Sequence, residues 1–235
     1  MRMRIVNSIY TFLATTFASA TASIPTYIYR FNAAHAAGVN GFIRVQYTGE
    51  DSSIALITSA LDFSAVNQTK LAAFDGNCTD TVTSYKWHIH TKWNSTLSSD
   101  SFKQCSKAAT GNHYDPLKAC GPASEYITEP DCKAKSLTYS CNSTIYKTDP
   151  FMCEKGDMSG KFGVFDVRVN STLYLNLIDK HYPVPYENTD TWSIVIHAVC
   201  GKETPRIACA VGYEYNERET EQYGKKDKHE HAQCR

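Results

Sequence analysis

Apolar, β-branched and aromatic residues recur along this chain in short runs separated by turn-forming residues. Residues 27–31 and 41–47 are two such runs of strand length. Residues 54–63 form a third, although their Ala and Leu content also suits a helix. Residues 85–93 form a fourth. Within it His88 and His90 fall on one face, and Trp87 and Ile89 on the other, because side chains alternate along a strand. Further runs at 162–169, 172–178, 192–199 and 207–213 bring the expected count to about eight strands. No helical period of useful length and no internal repeat is present. The pattern predicts an all-β fold, an eight-stranded barrel or sandwich.

Between residues 93 and 163 the alternation fails. The segment holds five cysteines, four prolines and His113. A loop of this length inside a compact domain needs an ordering device, and disulfides can supply one. Rigidly held loops also commonly carry sites.

The two ends fall outside the expected domain, which is placed at residues 23–215. Residues 1–22 have Arg2 and Arg4 in front, a modest apolar stretch around residues 9–17, then small residues that fit a cleavage site. They are expected to be a signal peptide. Residues 216–235 are almost wholly polar and are expected to be a flexible charged tail. No segment approaches ~18 consecutive apolar residues, so no membrane span is expected.

All nine cysteines lie beyond residue 22. Such a set after a signal predicts a disulfide framework and a secreted protein, extracellular or held at a cell wall. Nine is odd, and Cys234 is the candidate for the unpaired thiol. Asn67, Asn77, Asn94, Asn142 and Asn170 open five glycosylation sequons, which suggests a glycoprotein. Lysine and arginine balance aspartate and glutamate at 24 each. Removing residues 1–22 takes away two arginines and leaves a slight acidic excess. That balance does not suit a nucleic-acid binder, and any attraction for an anion must be local.

Four of the eight histidines have a distinctive setting: His88 and His90 in one strand, His113 in the long loop, His197 in a later strand. Brought together, four neutral imidazoles suit copper, nickel or zinc. Copper(II) binds such a set most tightly. A lone His-x-His pair is weak evidence, and the case rests on all four.

The segments Lys86-Trp87-His88-Ile89-His90, Gly111-Asn112-His113-Tyr114-Asp115-Pro116-Leu117, Gly156-Asp157-Met158-Ser159-Gly160-Lys161-Phe162-Gly163, Ser193-Ile194-Val195-Ile196-His197-Ala198 and Arg206-Ile207-Ala208-Cys209 resemble motifs of the copper/zinc superoxide dismutases, in that family's order. The resemblance runs from about residue 27 to 213. It implies an eight-stranded Greek-key β-barrel with a long disulfide-stapled loop. It implies His88, His90, His113 and His197 as copper ligands, one copper per chain. It pairs Cys105 with Cys209, and makes Arg206 the cation that attracts superoxide to the metal. The implied activity is secreted, copper-dependent disproportionation of superoxide to oxygen and hydrogen peroxide.

The departures are as telling. Zinc-binding relatives carry two more histidines after the His113 position. Here those places fall near Cys120-Gly121 and at Glu154. Asp157 remains, and no histidine lies between His113 and His181, so zinc is not expected. The segment from His197 to Arg206 is short, which leaves copper more open. Both features resemble the extracellular copper-only superoxide dismutases of fungi and oomycetes. Glu154 then becomes the carboxylate expected to hold the second ring nitrogen of His113, since metal-bound histidines commonly donate that N–H to an acid or carbonyl. Asp157 is expected to organise the turn before Gly160. Cys120, Cys132, Cys141 and Cys153 are expected to staple the loop internally in an order the sequence leaves open, and Cys78 is matched with Cys200. The competing functions are an extracellular copper-binding module and a glycosylated surface protein without turnover. The oligomeric state is open.

Overall fold

The computed structural model describes residues 24–94, 100–168 and 170–215. The expected signal peptide, the tail, Cys234, His229 and His231 lie outside the described residues. Eight antiparallel strands form the body: β1 (Thr26–Phe31), β2 (Asn40–Tyr47), β3 (Ala55–Asp62), β4 (Ser84–His90), β5 (Phe165–Asp166), β6 (Thr172–Asp179), β7 (Ser193–Ala198) and β8 (Arg206–Glu214). They hydrogen-bond in the order β5-β4-β7-β8-β1-β2-β3-β6, a nearly closed Greek-key barrel. β8 makes the corner. Its first part pairs with β7 and its last residues, Gly212 to Glu214, pair with β1.

The interior follows from the alternation. On β3 every second residue is buried, which settles the 54–63 run as a strand. Trp87, Ile89, Ile194 and Ile196 enter the core beside Tyr29, Ile43 and Phe165. Trp87 is 1% exposed, and losing a buried ring of that size costs about 3–5 kcal/mol. With Trp87 and Ile89 turned inward, His88 and His90 must face out of the barrel.

Helices are present but short: α1 (Gln68–Phe74), α2 (Ser101–Gln104), α3 (Lys107–Thr110), α4 (Pro130–Ser136), α5 (Ser143–Thr148) and α6 (Met158–Phe162). None exceeds two turns, so none leaves a readable period. The expected strand at 162–169 shrinks to β5. Asp157 accepts the Gly160 N–H and starts α6, which runs to Phe162, and Gly163 ends it at φ 92°. Such a φ favours glycine.

Four disulfides are present among the described residues, and three of them order the long segment. Cys120–Cys132 and Cys141–Cys153 each close a short loop. Cys105–Cys209 ties the residue after α2 to β8 with 5.5 Å between Cα atoms, and Cys78–Cys200 joins the approaches to β4 and β8. The last two are the pairings expected from sequence, and the first two settle an order within the loop that the sequence left open.

Candidate metal centre

β4 carries the first two histidines and also supports the third. β5 covers only the start of β4. Further along, the edge is completed by loop backbone. Tyr114 N donates to Ile89 O at 2.9 Å, and Ile89 N donates to Gly156 O at 2.9 Å. The hydroxyl of Ser159, on α6, accepts from Trp87 N at 2.6 Å and closes the same edge. His113 is thereby fixed against His90, with which it forms a one-residue bridge.

β7 and β8 supply the rest. His88 lies opposite Val195 and Lys86 opposite His197, so these side chains share one face. Between Ile196 and His197 the register with β8 shifts, and His197 pairs with Arg206 instead of Ile207. This β-bulge re-aims the strand, and Arg206 joins the histidine face. Ser101 holds the carbonyl of Ile207, which the bulge takes out of the ladder.

Each imidazole has one defined partner. His90 Nδ1 donates to Gly111 O at 3.1 Å and His197 Nδ1 donates to Thr204 O at 3.0 Å. His113 Nδ1 meets Glu154 Oε2 at 2.6 Å, and Glu154 is 1% exposed. In all three the Nε2 atom is left for the centre. His88 is the reverse: its Nε2 lies 3.5 Å from Asp157 Oδ1, and its buried Nδ1 has no hydrogen-bond partner. One ligand atom from each ring falls within 4.8 Å of all the others. Burial and the neighbouring rings hold His88 and His90 well below their ordinary pKa, and burial pushes His197 down to about 3. The rings are therefore neutral and their lone pairs free to bind at ordinary pH. Four convergent imidazoles with an orphaned buried nitrogen fit a copper ion, because an empty site would leave that nitrogen uncompensated.

A second group, Asp115, Cys120 and Cys132, also converges. Its sulfurs are joined in a disulfide, and Asp115 accepts from Ala119 N, Cys120 N and the Ser124 hydroxyl. It is a structural knot.

Arg206 is fixed. Its Nη1 donates to Thr110 Oγ1 at 2.6 Å and to Gly111 O at 2.7 Å. Burial lowers its pKa only to about 10, so it stays charged at neutral pH. It lines a cavity of about 530 Å³ with Lys86, His88, His113, Tyr139 and His197. A larger cavity of about 840 Å³ lies elsewhere, between Ala37, Leu71, Phe74 and Phe102, and none of the four histidines borders it.

The fold has a solved counterpart. The copper(II) form of superoxide dismutase 5 from Candida albicans superposes with a TM-score of 0.52 at 17% identity, covering 83% of this chain and 95% of that one. A variant of the same enzyme gives 0.48 at 17% identity over the same shares. The chain has the superoxide dismutase fold. No family model matches the sequence. No curated protein matches it either.

All six residues singled out from sequence lie in this one place. Sequence reasoning missed Lys86, Tyr139 and the carbonyls of Gly111 and Thr204. Lys86 was readable, since it shares the two-residue period of His88 and His90. Backbone acceptors leave no trace in residue identity.

Proposed function

We propose that this protein is a secreted, copper-dependent superoxide dismutase that uses one copper and no zinc. The observation that carries it is the convergence of four imidazoles beside a fixed arginine. His88 would bind through Nδ1 and His90, His113 and His197 through Nε2. Bound copper supplies the one-electron exchange that converts two superoxide ions and two protons to oxygen and hydrogen peroxide. Around it the chain's own residues have separate tasks. Arg206 offers a fixed positive charge to an incoming anion. Glu154, Thr204 and Gly111 hold their rings in the orientation that presents the free nitrogen. The open cavity admits solvent, the source of protons. Zinc-binding relatives place a histidine near Cys120-Gly121, and in this chain the Glu154 carboxylate fills the space a side chain at Gly121 would need.

Four disulfides and five sequon asparagines, all exposed, support export. Elemental analysis of the purified protein, paired with a superoxide-consumption assay, tests the proposal. About one copper per chain with rapid consumption is expected. Stoichiometric zinc beside copper refutes the copper-only reading, and copper without turnover leaves a binding module.

A further inference from the structure

Tyr139 lies between the two short disulfide loops, after α4 and two residues before Cys141. Its hydroxyl makes two hydrogen bonds. It donates to Asp157 Oδ2 at 2.9 Å and accepts from Glu154 N at 3.2 Å. Glu154 is the carboxylate that holds His113, at 2.6 Å. Asp157 approaches His88 at 3.5 Å through Oδ1, the atom that also accepts the Gly160 N–H at 2.8 Å. One phenol thus touches both acidic residues behind two of the four imidazoles. The remaining two, His90 and His197, rest on backbone carbonyls and need no such support. Carboxylate side chains can change rotamer, whereas strand and turn carbonyls cannot. Tyr139 holds Asp157 by its carboxylate and Glu154 by its backbone N–H, which fixes the point from which the Glu154 side chain reaches His113.

We propose that Tyr139 is a positioning residue of the metal centre, fixing the Glu154 backbone and the Asp157 carboxylate so that the rings of His113 and His88 keep the orientation that binds copper. The proposal rests on the copper reading above and goes beyond it. Tyr139 is not one of the four converging ligand residues, and it acts through the two acids. Outer partners of metal-binding histidines are worth about 10–100-fold in affinity. Tyr139 stands one step further out, so removal of its hydroxyl should cost nearer the lower bound, about tenfold.

The test is Tyr139→Phe, which keeps the ring and all four disulfides. Tyr146→Phe is its control. That hydroxyl also donates to a buried acid from the same long loop, but the acid is Asp179 on β6, which does not approach the four histidines. Three quantities are measured for parent and both variants: copper affinity by chelator competition, the copper(II) paramagnetic resonance spectrum, and the melting temperature of the metal-free protein. Tyr139→Phe should weaken copper binding about tenfold and change the copper hyperfine pattern. Tyr146→Phe should lower the melting temperature and leave affinity and spectrum as in the parent. Parent-like affinity and spectrum in Tyr139→Phe would overturn the proposal, whatever its melting temperature. Equal spectral changes in both variants would also overturn it, because general loosening of the loop would then be the cause. A parent that takes up no copper overturns the copper reading itself, and the proposal with it. That outcome is visible before any variant is compared.

Discussion

Gly121 approaches Glu154 closely in the centre, and Gly121→Ala probes that approach with a single methyl group. A Cβ at residue 121 would stand 2.4 Å from Glu154 Oε1, 2.7 Å from its Cδ and 3.0 Å from Cε1 of Tyr139. Ordinary contact requires more than 3 Å, so the carboxylate must retreat by roughly 1 Å. The bond to His113 Nδ1 starts at 2.6 Å, and a retreat of that size takes it beyond the range of a sound hydrogen bond. A hydrogen bond to a charged group is worth about 1.5–3 kcal/mol, more when a buried acid is left unpaired. The same range corresponds to roughly tenfold to hundredfold in a binding constant. Gly121→Ala should therefore weaken copper binding by one to two orders of magnitude. Chelator competition measures the affinity, and melting of the metal-free protein measures the cost to the fold. Gly76→Ala is the control, since nothing lies within 4 Å of a Cβ there. Copper affinity in Gly121→Ala within twofold of both the parent and Gly76→Ala would show that Glu154 does not hold His113.

Arg206→Ala should slow superoxide consumption and flatten its salt dependence while copper stays bound, and Arg206→Lys should do less harm because charge is kept; equal rates and equal salt dependence in Arg206→Ala and parent would make Arg206 a bystander. Acid should destabilise the metal-free protein. His197 titrates at about 3 in the fold against 6.5 unfolded, so the unfolded chain binds more protons between those values and stability falls as pH falls through that window. At pH 5 this one ring costs about 2 kcal/mol relative to pH 7, with His88 and His90 acting in the same direction and Glu154, whose pKa burial raises, opposing them; a melting temperature that does not fall between pH 7 and pH 5 would contradict the buried, neutral rings. Loading the four histidines should raise the melting temperature, and chelation should reverse it. Cys105→Ser with Cys209→Ser should release the segment carrying Thr110 and Gly111 from β8, lowering both stability and superoxide consumption; unchanged turnover would separate the disulfide from the site.

Much of this architecture was legible from alternation alone. Two-residue periodicity gave β1 to β4 and β6 to β8, and it put His88 and His90 outside while Trp87 went in. The resemblance to superoxide dismutases joined these to His113, His197 and Arg206 across long separations that no local pattern spans. It did not show α6, which Asp157 caps by accepting the Gly160 N–H and which takes Phe162 from the expected 162–169 strand. The pairing inside the long loop was also hidden, since four cysteines there allow three connectivities and spacing does not choose among them. The bulge at Ile207 was invisible for another reason. It is set by how two strands meet, not by the residue that bulges.

The carbonyl of Gly111 accepts from both His90 and Arg206. Gly111 sits at φ 72°, and a side chain there would collide with Thr91. One backbone oxygen is therefore shared between a ring assigned to the metal and the side chain assigned to the anion. Natural variation or laboratory selection could not adjust those two traits separately through this turn. A change that relocates residues 110–112 to shift substrate preference would alter metal chemistry in the same stroke. Improved variants should consequently accumulate substitutions around Lys86 and the opposite wall of the cavity, where charge can be varied while the shared oxygen stays still.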